Sequence, residues 1–408
     1  MVNESRKGRR SANLTPAAAS GIGYNPATRI NSVDLLRGLA CVLMAIDHVR
    51  VYSGLPAGGP TAGIFLTRWI THFVAPAFCF FAGTSAYLLG RKLGDMSALA
   101  RYLVIRGALL VLLELTVIRV CWTFNLDFAH YLLFGVIWML GACMILMGGL
   151  VRWSAPSVGI VGIAIIFGQP LIGFLAAVTP VSARPATGWL FQLLWFGGRI
   201  TLGSGGPTLA ILYSIVPWIG VMAAGYGFGT ILLRDAVERR RLCLRIGLSA
   251  TALFLVVGGT LALRAPSSPG APPALFALLA QQKYPASQLF LLMTLGPIIA
   301  VIPAAERARG WWARALETFG RVPLFYYLLH IPLIHAAALV VSLVRTGRVD
   351  SWLFGNHPMK PPAQPVGYMW SLGLLYLVWL LVLPVLYVAC RWYARVKATH
   401  SHGLLRYI

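Results

Sequence analysis

Four ionisable side chains, Asp34, Arg37, Asp47 and His48, fall within one apolar stretch, RINSVDLLRGLACVLMAIDHVRVYSG at residues 29–54. A charged residue at the centre of a membrane helix costs about 2.5–3.5 kcal/mol on insertion scales, so such groups face a bundle interior or a water-filled cavity. Arg37 and His48 are eleven positions apart. At roughly 100° per residue they share a helix face to within about 20°, and at ~1.5 Å rise they stand ~16 Å apart along the axis. That face offers a guanidinium suited to phosphate and an imidazole suited to proton transfer. Taken singly, each has a plainer use: Arg37 can snorkel to headgroups, and His48 can cap an interface. Asp47 and His48 are neighbours in the chain and do not face each other on a helix, so Asp47 is expected to pair with another helix.

Further candidates follow. Arg68, Thr71 and His72 open the second apolar run. Arg68 alone could be an interfacial anchor, but anchoring does not call for a His at 72. The third run carries Arg106 near one end and Glu114 near its middle, where an acid serves function or a buried ion pair. Asp127 and His130 lie just outside the fourth run. In the ninth, Tyr326 and Tyr327 precede His330 by four and three positions and share its face. His335 points about 140° away at ~100° per residue. His357, His400 and His402 read as solvated.

The elements that must hold these groups are transmembrane helices. Of the 408 residues, 58% are hydrophobic and 11% charged, with a mean hydropathy of +0.75; soluble domains carry about 25% charged residues. Spans of about 20 apolar residues are expected at 33–53, 68–90, 99–119, 130–150, 155–179, 207–232, 243–263, 288–305, 322–344 and 367–390. The fold class is therefore all-α, a polytopic bundle of about ten helices with both termini cytoplasmic. Residues 188–202, GWLFQLLWFGGRITL, are aromatic and amphipathic and are expected at the interface or in a re-entrant loop. The division is a cytoplasmic tail over 1–28, a membrane domain over 29–395 and a second tail over 396–408. Residue 35 is late for a cleaved signal's apolar core, so the first span is expected to be retained.

The net charge of +23 suggests nucleic acid only until its distribution is read. Alternate loops (the N-terminal residues through Arg29, 91–106, Arg152, 234–245, 306–321 and the C-terminal run) hold 23 of the 34 Lys and Arg. This is the positive-inside pattern of a membrane protein. The six cysteines are scattered and form no CxxC, which speaks against both a zinc site and a disulfide framework.

The first helix, with its (S/N)xDxxRG opening at Ser32–Gly38 and its Arg-x10-His spacing, resembles the heparan-α-glucosaminide N-acetyltransferase catalytic-domain family and the related acyltransferase-3 family. Residues 68–89, 284–297 and 319–335 resemble the bacterial branch of the same group. The resemblance implies an acyl-CoA co-substrate, acetyl-CoA above all, reached from the cytoplasm, no metal, and an extracytoplasmic acceptor, typically a glycan. It further implies a bacterial inner membrane with its lipids as surroundings; a homodimer is left open. The family's lysosomal enzyme has its catalytic His in the outer loop after this helix, and residues 49–71 here contain none. The proton-transfer role then passes to His48, with Asp47 beside it, or to His72. Arg37, Asp34 and Arg106 are the candidates for the cofactor's phosphates, and Glu114, Arg68, Tyr327 and His330 for the acceptor or for support. Direct transfer and an acyl-histidine carrier both remain open. A transporter of a lipid-linked or anionic solute is the alternative, since intramembrane Asp, Glu and His also build proton relays. Against it, no two-fold repeat with matched broken helices is visible.

Overall fold

The computed structural model describes residues 30–59, 61–180, 182, 184–264, 272–355 and 364–399. The tail expected over 1–28 and the residues His357, His400 and His402 lie outside them.

The chain is mostly helical. The first half contains α1 (Asn31–Ser53), α2 (Ala62–Trp69), α3 (Val74–Leu93), α4 (Met96–Leu113), α5 (Arg119–Thr123), α6 (Val136–Leu150), α7 (Ala155–Gly168) and α8 (Pro170–Val178). The second contains α9 (Arg184–Phe191), α10 (Val216–Leu232), α11 (Ala236–Arg264), α12 (Ala274–Leu279), α13 (Gln288–Arg307), α14 (Trp311–Arg321), α15 (Pro323–Thr346) and α16 (Leu372–Thr399). A short 3-10 turn over Ile70–Phe73 joins α2 to α3, and a π-turn over Glu114–Ile118 joins α4 to α5. Among the described residues, five helical stretches are long and apolar enough to cross a membrane: Ala62–Leu93, α11, α13, α15 and α16. The pair α7 and α8, bent by 50°, makes a sixth if it is one span. Shorter apolar helices, α6 and α10, pack inside the bundle.

The all-helical expectation needs one correction. Tyr131–Phe134 (β1), Gly198–Thr201 (β2) and Thr208–Ile211 (β3) form a small sheet, with β3 central, parallel to β1 and antiparallel to β2. The expected fourth and sixth spans therefore begin as strands, and the interfacial stretch 188–202 divides into α9, a π-turn and β2. β-branched and aromatic residues in short runs suit a pleated surface as well as a helix, so periodicity alone does not separate the two there. The expected domain boundary at 395/396 also falls inside a continuous α16.

The interior and exterior are those of a protein solvated by lipid. Leu253, Leu255, Val256, Leu261, Leu380, Leu381 and Val388 are exposed, while Glu114, Arg119, Thr294, His330 and His335 are fully buried. With no hydrophobic drive between helices in lipid, close approach of backbones does the packing. A Cβ at Gly83 of α3 would overlap the Met222 carbonyl of α10, and one at Gly225 of α10 would overlap that of Phe80. At the other crossing that matters here, Gly38 of α1 lies against the Leu316 carbonyl of α14, and Gly320 of α14 against the Asp34 carbonyl. This contact clamps the start of α1, and with it Arg37, to an amphipathic helix that carries exposed Trp311 and Trp312.

Candidate active site

α1 and α15 pack together, and their crossing brings His48 onto His330. The His48 Nδ1 lies 2.6 Å from the His330 Nε2, with the rings stacked at 4.8 Å. The His330 Nδ1 lies 2.7 Å from the Tyr327 carbonyl and 3.0 Å from that of Tyr326, one helical turn back. Carbonyls only accept, so Nδ1 of His330 carries the proton and its Nε2 is an acceptor. The His48 Nδ1–H must then be the donor to His330. That leaves the lone pair of His48 on Nε2. His48 remains partly exposed whereas His330 is sealed. The edge of the Trp122 ring, 4.7 Å from His48, closes one side of the imidazole, and the Tyr327 ring at 6.3 Å another.

Asp47 does not touch this pair. Its Oδ1 accepts from the Arg50 Nε at 2.9 Å and its Oδ2 from the Arg68 Nη1 at 3.1 Å. The expected partner on a neighbouring helix is Arg68, which also donates to the Thr71 Oγ1 at 2.9 Å. His72, in the 3-10 turn, has a buried Nδ1 with no hydrogen-bond partner among the described residues and meets the edge of Phe290 at 5.5 Å. It lies within electrostatic reach of Asp47, Arg68 and Lys283. Lys283 is a residue that sequence reasoning passed over. It sits in the loop before α13, buried to 7% exposure, with Nζ 5.6 Å from the Tyr213 ring centroid and 5.3 Å from that of Tyr284. Burial holds its ammonium below the usual lysine range. Burial raises the Tyr284 phenol, but Lys283 and then Arg68 outweigh it and bring it below its ordinary value. A lone Lys in a loop signals nothing in the sequence; the resemblance that begins one residue later, at Tyr284, was the nearest cue.

On the other side of Tyr327 lies a cavity of ≈ 160 Å³. Arg37, Ser85, Tyr102 and Arg106 line one part of it, Leu103, Leu140 and Met144 form apolar wall, and Tyr327 borders it toward the dyad. The Arg37 Nη2 donates to the Phe81 carbonyl at 2.5 Å and to the Ser85 Oγ at 2.7 Å, so α3 holds the guanidinium in place. The Arg106 Nη1 donates to the Tyr102 hydroxyl at 2.7 Å, and its Nε is buried with no partner among the described residues. Asp34, in contrast, lies at the α1–α14 crossing and not on the cavity wall. His48 is not on that wall either; Tyr327 is the residue shared by cavity and dyad.

Glu114 is fully buried, and its Oε2 accepts from the Ile137 and Trp138 amides at 2.8 and 3.0 Å. It caps α6 from another helix, where a carboxylate meets two orphan N–H groups and the positive end of the helix dipole. Arg119, also unmarked in advance, is fully buried and donates to the Asn125 and Asp127 carbonyls and to the Asn125 Oδ1. It organises the loop that leads into β1. Asp127 and His130 form an exposed pair there, 2.7 Å apart, and the His130 hydrogen bond holds the Asp127 carboxyl below its usual range. His335 stacks between Tyr52 at 4.7 Å and Phe124 at 3.9 Å, away from the dyad.

The profile of the family described as heparan-alpha-glucosaminide N-acetyltransferase, catalytic, matches residues 29–264, more than half of the chain. The chain belongs to that family. No curated protein matches it. The N-acetyltransferase profile covers Arg37, Asp47, His48, Arg68, His72, Arg106 and Glu114. Lys283, Tyr327 and His330 lie beyond its end, in the part of the chain that completes the site by tertiary packing. Among the described residues, no group of three or more His, Cys, Asp and Glu is placed to hold a metal ion.

Proposed function

We propose that this protein is a membrane-embedded acyltransferase that moves an acyl group, acetyl first of all, from cytoplasmic acyl-CoA to an extracytoplasmic sugar. The surroundings are a bacterial inner membrane, with about ten spans and both termini in the cytoplasm. The observation that carries the reading is the His48–His330 pair, with its free lone pair on the His48 Nε2, separated by Tyr327 from a cavity that bears two guanidiniums. Family membership supports it independently.

In this reading Arg37 and Arg106 take the phosphates of acyl-CoA, and the apolar walls accept the pantetheine arm. The acceptor's hydroxyl or amine attacks the thioester carbonyl while the His48 Nε2 removes its proton. The C–S bond then breaks, the proton passes from Nε2 to the departing sulfur, and free CoA leaves with His48 restored. His330 makes His48 a better base at the moment of charge development. As positive charge builds on His48, its Nδ1–H bond to His330 strengthens, and the two carbonyls behind His330 face that charge with their negative ends. Direct transfer is the simpler route; attack by the His48 Nε2 itself would give an acyl-histidine.

Purified protein in lipid nanodiscs, given radiolabelled acetyl-CoA and cell-envelope glycan, should label the glycan. Arg37→Ala and His48→Ala, checked for folding by thermal melts, should each abolish labelling. Wild-type activity in both folded variants would end the proposal. A label that survives on His48 after quenching would select the acyl-histidine route.

A further inference from the structure

Beside the dyad, three cations are buried together. Arg50 and Arg68 are 9% exposed and Lys283 7%. One carboxylate, Asp47, answers them, and it binds only the two arginines. Among the described residues, no second carboxylate lies within ion-pair distance of any of the three. Buried charge that is not paired is costly, so a cluster with three cations and one anion is electrostatically incomplete. Lys283 is met by the rings of Tyr213 and Tyr284 and by the Tyr284 hydroxyl, which it shares with Arg68, where a carboxylate would be expected. The Tyr284 hydroxyl, 3.3 Å from that of Tyr213, is pulled toward ionisation by the same surplus.

The cluster is also not fully sealed. Asp47, His48, His72 and Tyr284 all keep partial exposure, and the His72 Nδ1 has no hydrogen-bond partner among the described residues. The charges of Lys283, Arg50 and Arg68 reach His48. An anionic group settled against them is therefore near the nitrogen that would take the acceptor's proton.

We infer that the acceptor carries an oxyanion, a carboxylate or phosphate, which Lys283 and Arg68 bind while a neighbouring hydroxyl or amine of the same molecule reaches His48. This rests on the acyl-transfer reading for its consequence, but not for the anion site itself. Without the acceptor the two tyrosines hold the ammonium, through their rings and the Tyr284 hydroxyl; on binding, the oxyanion becomes its partner and neutralises part of the surplus. Arg68 keeps its bond to Asp47 through Nη1 and has other donors to offer, five in all for a guanidinium.

The test uses full-length protein in phosphatidylcholine nanodiscs and needs no turnover to begin with. Thermal unfolding is followed with methyl β-D-glucuronide, glucose 6-phosphate and neutral methyl β-D-glucoside at equal concentration. The two anionic sugars should raise the midpoint, the neutral one should not, and Lys283→Gln should lose the difference while Lys283→Arg keeps it. No charge-selective shift in the wild-type protein, or the same shift in Lys283→Gln, overturns the site; the wild-type arm decides even if that variant does not fold. If nanodiscs containing phosphatidylglycerol suppress the shift, a lipid headgroup owns the site and the acceptor assignment falls. Acetyl transfer is then measured on the same sugars, with kcat/KM expected to be at least about tenfold higher for the anionic ones, which is about 1.4 kcal/mol. Equal transfer to the neutral glucoside sinks the anionic acceptor and leaves the enzyme standing. Anion binding with no transfer to any sugar or glycan sinks the enzyme and leaves the site.

Discussion

Replacing His330 by Phe tests the relay at its hidden end. Phenylalanine fills much the same volume and keeps the aromatic contacts with Tyr326 and Tyr327, but it accepts nothing. The His48 Nδ1–H, now 2.6 Å from its acceptor, is left without one. An unsatisfied donor of this kind costs about 1–3 kcal/mol. At about 1.36 kcal/mol per factor of ten, kcat should fall about 5–150-fold, toward the upper end because the bond is worth more once His48 is charged. His330 lies on neither the cavity wall nor the guanidinium end, so KM for acetyl-CoA should stay within about twofold on the same transition-state arithmetic. His330→Gln can offer Oε1 to His48 and its amide N–H to the Tyr327 carbonyl, so it should recover to within about tenfold of wild type by that scale. The assay is the initial rate of labelled acetyl transfer to glycan at varied acetyl-CoA, with melting curves for each variant. A His330→Phe protein that melts like wild type and turns over at the wild-type kcat would refute the relay. A Gln variant as poor as the Phe variant would show that the ring contributes shape and not an acceptor.

Three other expectations follow from the same geometry. Asp47→Ala strands Arg50 and Arg68 at 9% exposure; breaking a buried pair costs about 3–5 kcal/mol, so chemical unfolding in nanodiscs should show a loss of that order, and an unchanged midpoint contradicts it. Glu114→Ala uncovers the Ile137 and Trp138 amides, at about 1–3 kcal/mol for each, and should lower the melting temperature well beyond Glu114→Gln, whose carbonyl can still accept. Lys283 gives a pH signature. Burial depresses its ammonium and, with Arg68, Lys283 depresses Tyr284. Between the folded values and the unfolded ones near ~10–10.4, the unfolded chain holds more protons, so folded stability rises with pH. Lys283→Met should flatten that alkaline rise in the melting temperature, and an unaltered slope would remove the buried-ammonium argument.

That the chain is mostly helical, with apolar helices long enough to cross a membrane, was readable in residue order because lipid imposes a local rule. Every apolar run long enough to cross must close its own backbone hydrogen bonds, and charges inside such a run must find the interior. Arg37, Asp47, His48 and Glu114 stood out for that reason before any fold was known. That Asp47 would pair across to another helix came from the 3.6-residue period alone. The small sheet did not show, because four-residue runs such as Tyr131–Phe134 satisfy helix and strand patterns equally.

The partners of those charges were decided only by tertiary packing. Which side chain His48 would meet depended on which helix crossed α1 at that depth, and the answer came from α15, 282 positions away in the chain. Glu114 became a cap for α6, and Lys283 entered the cluster from a loop, since neither relation has a fixed sequence spacing. A chain's own period sets the face on which a side chain lies. Only the approach of a second helix, permitted at places such as Gly38 and Gly320 where no Cβ intervenes, sets what that face meets.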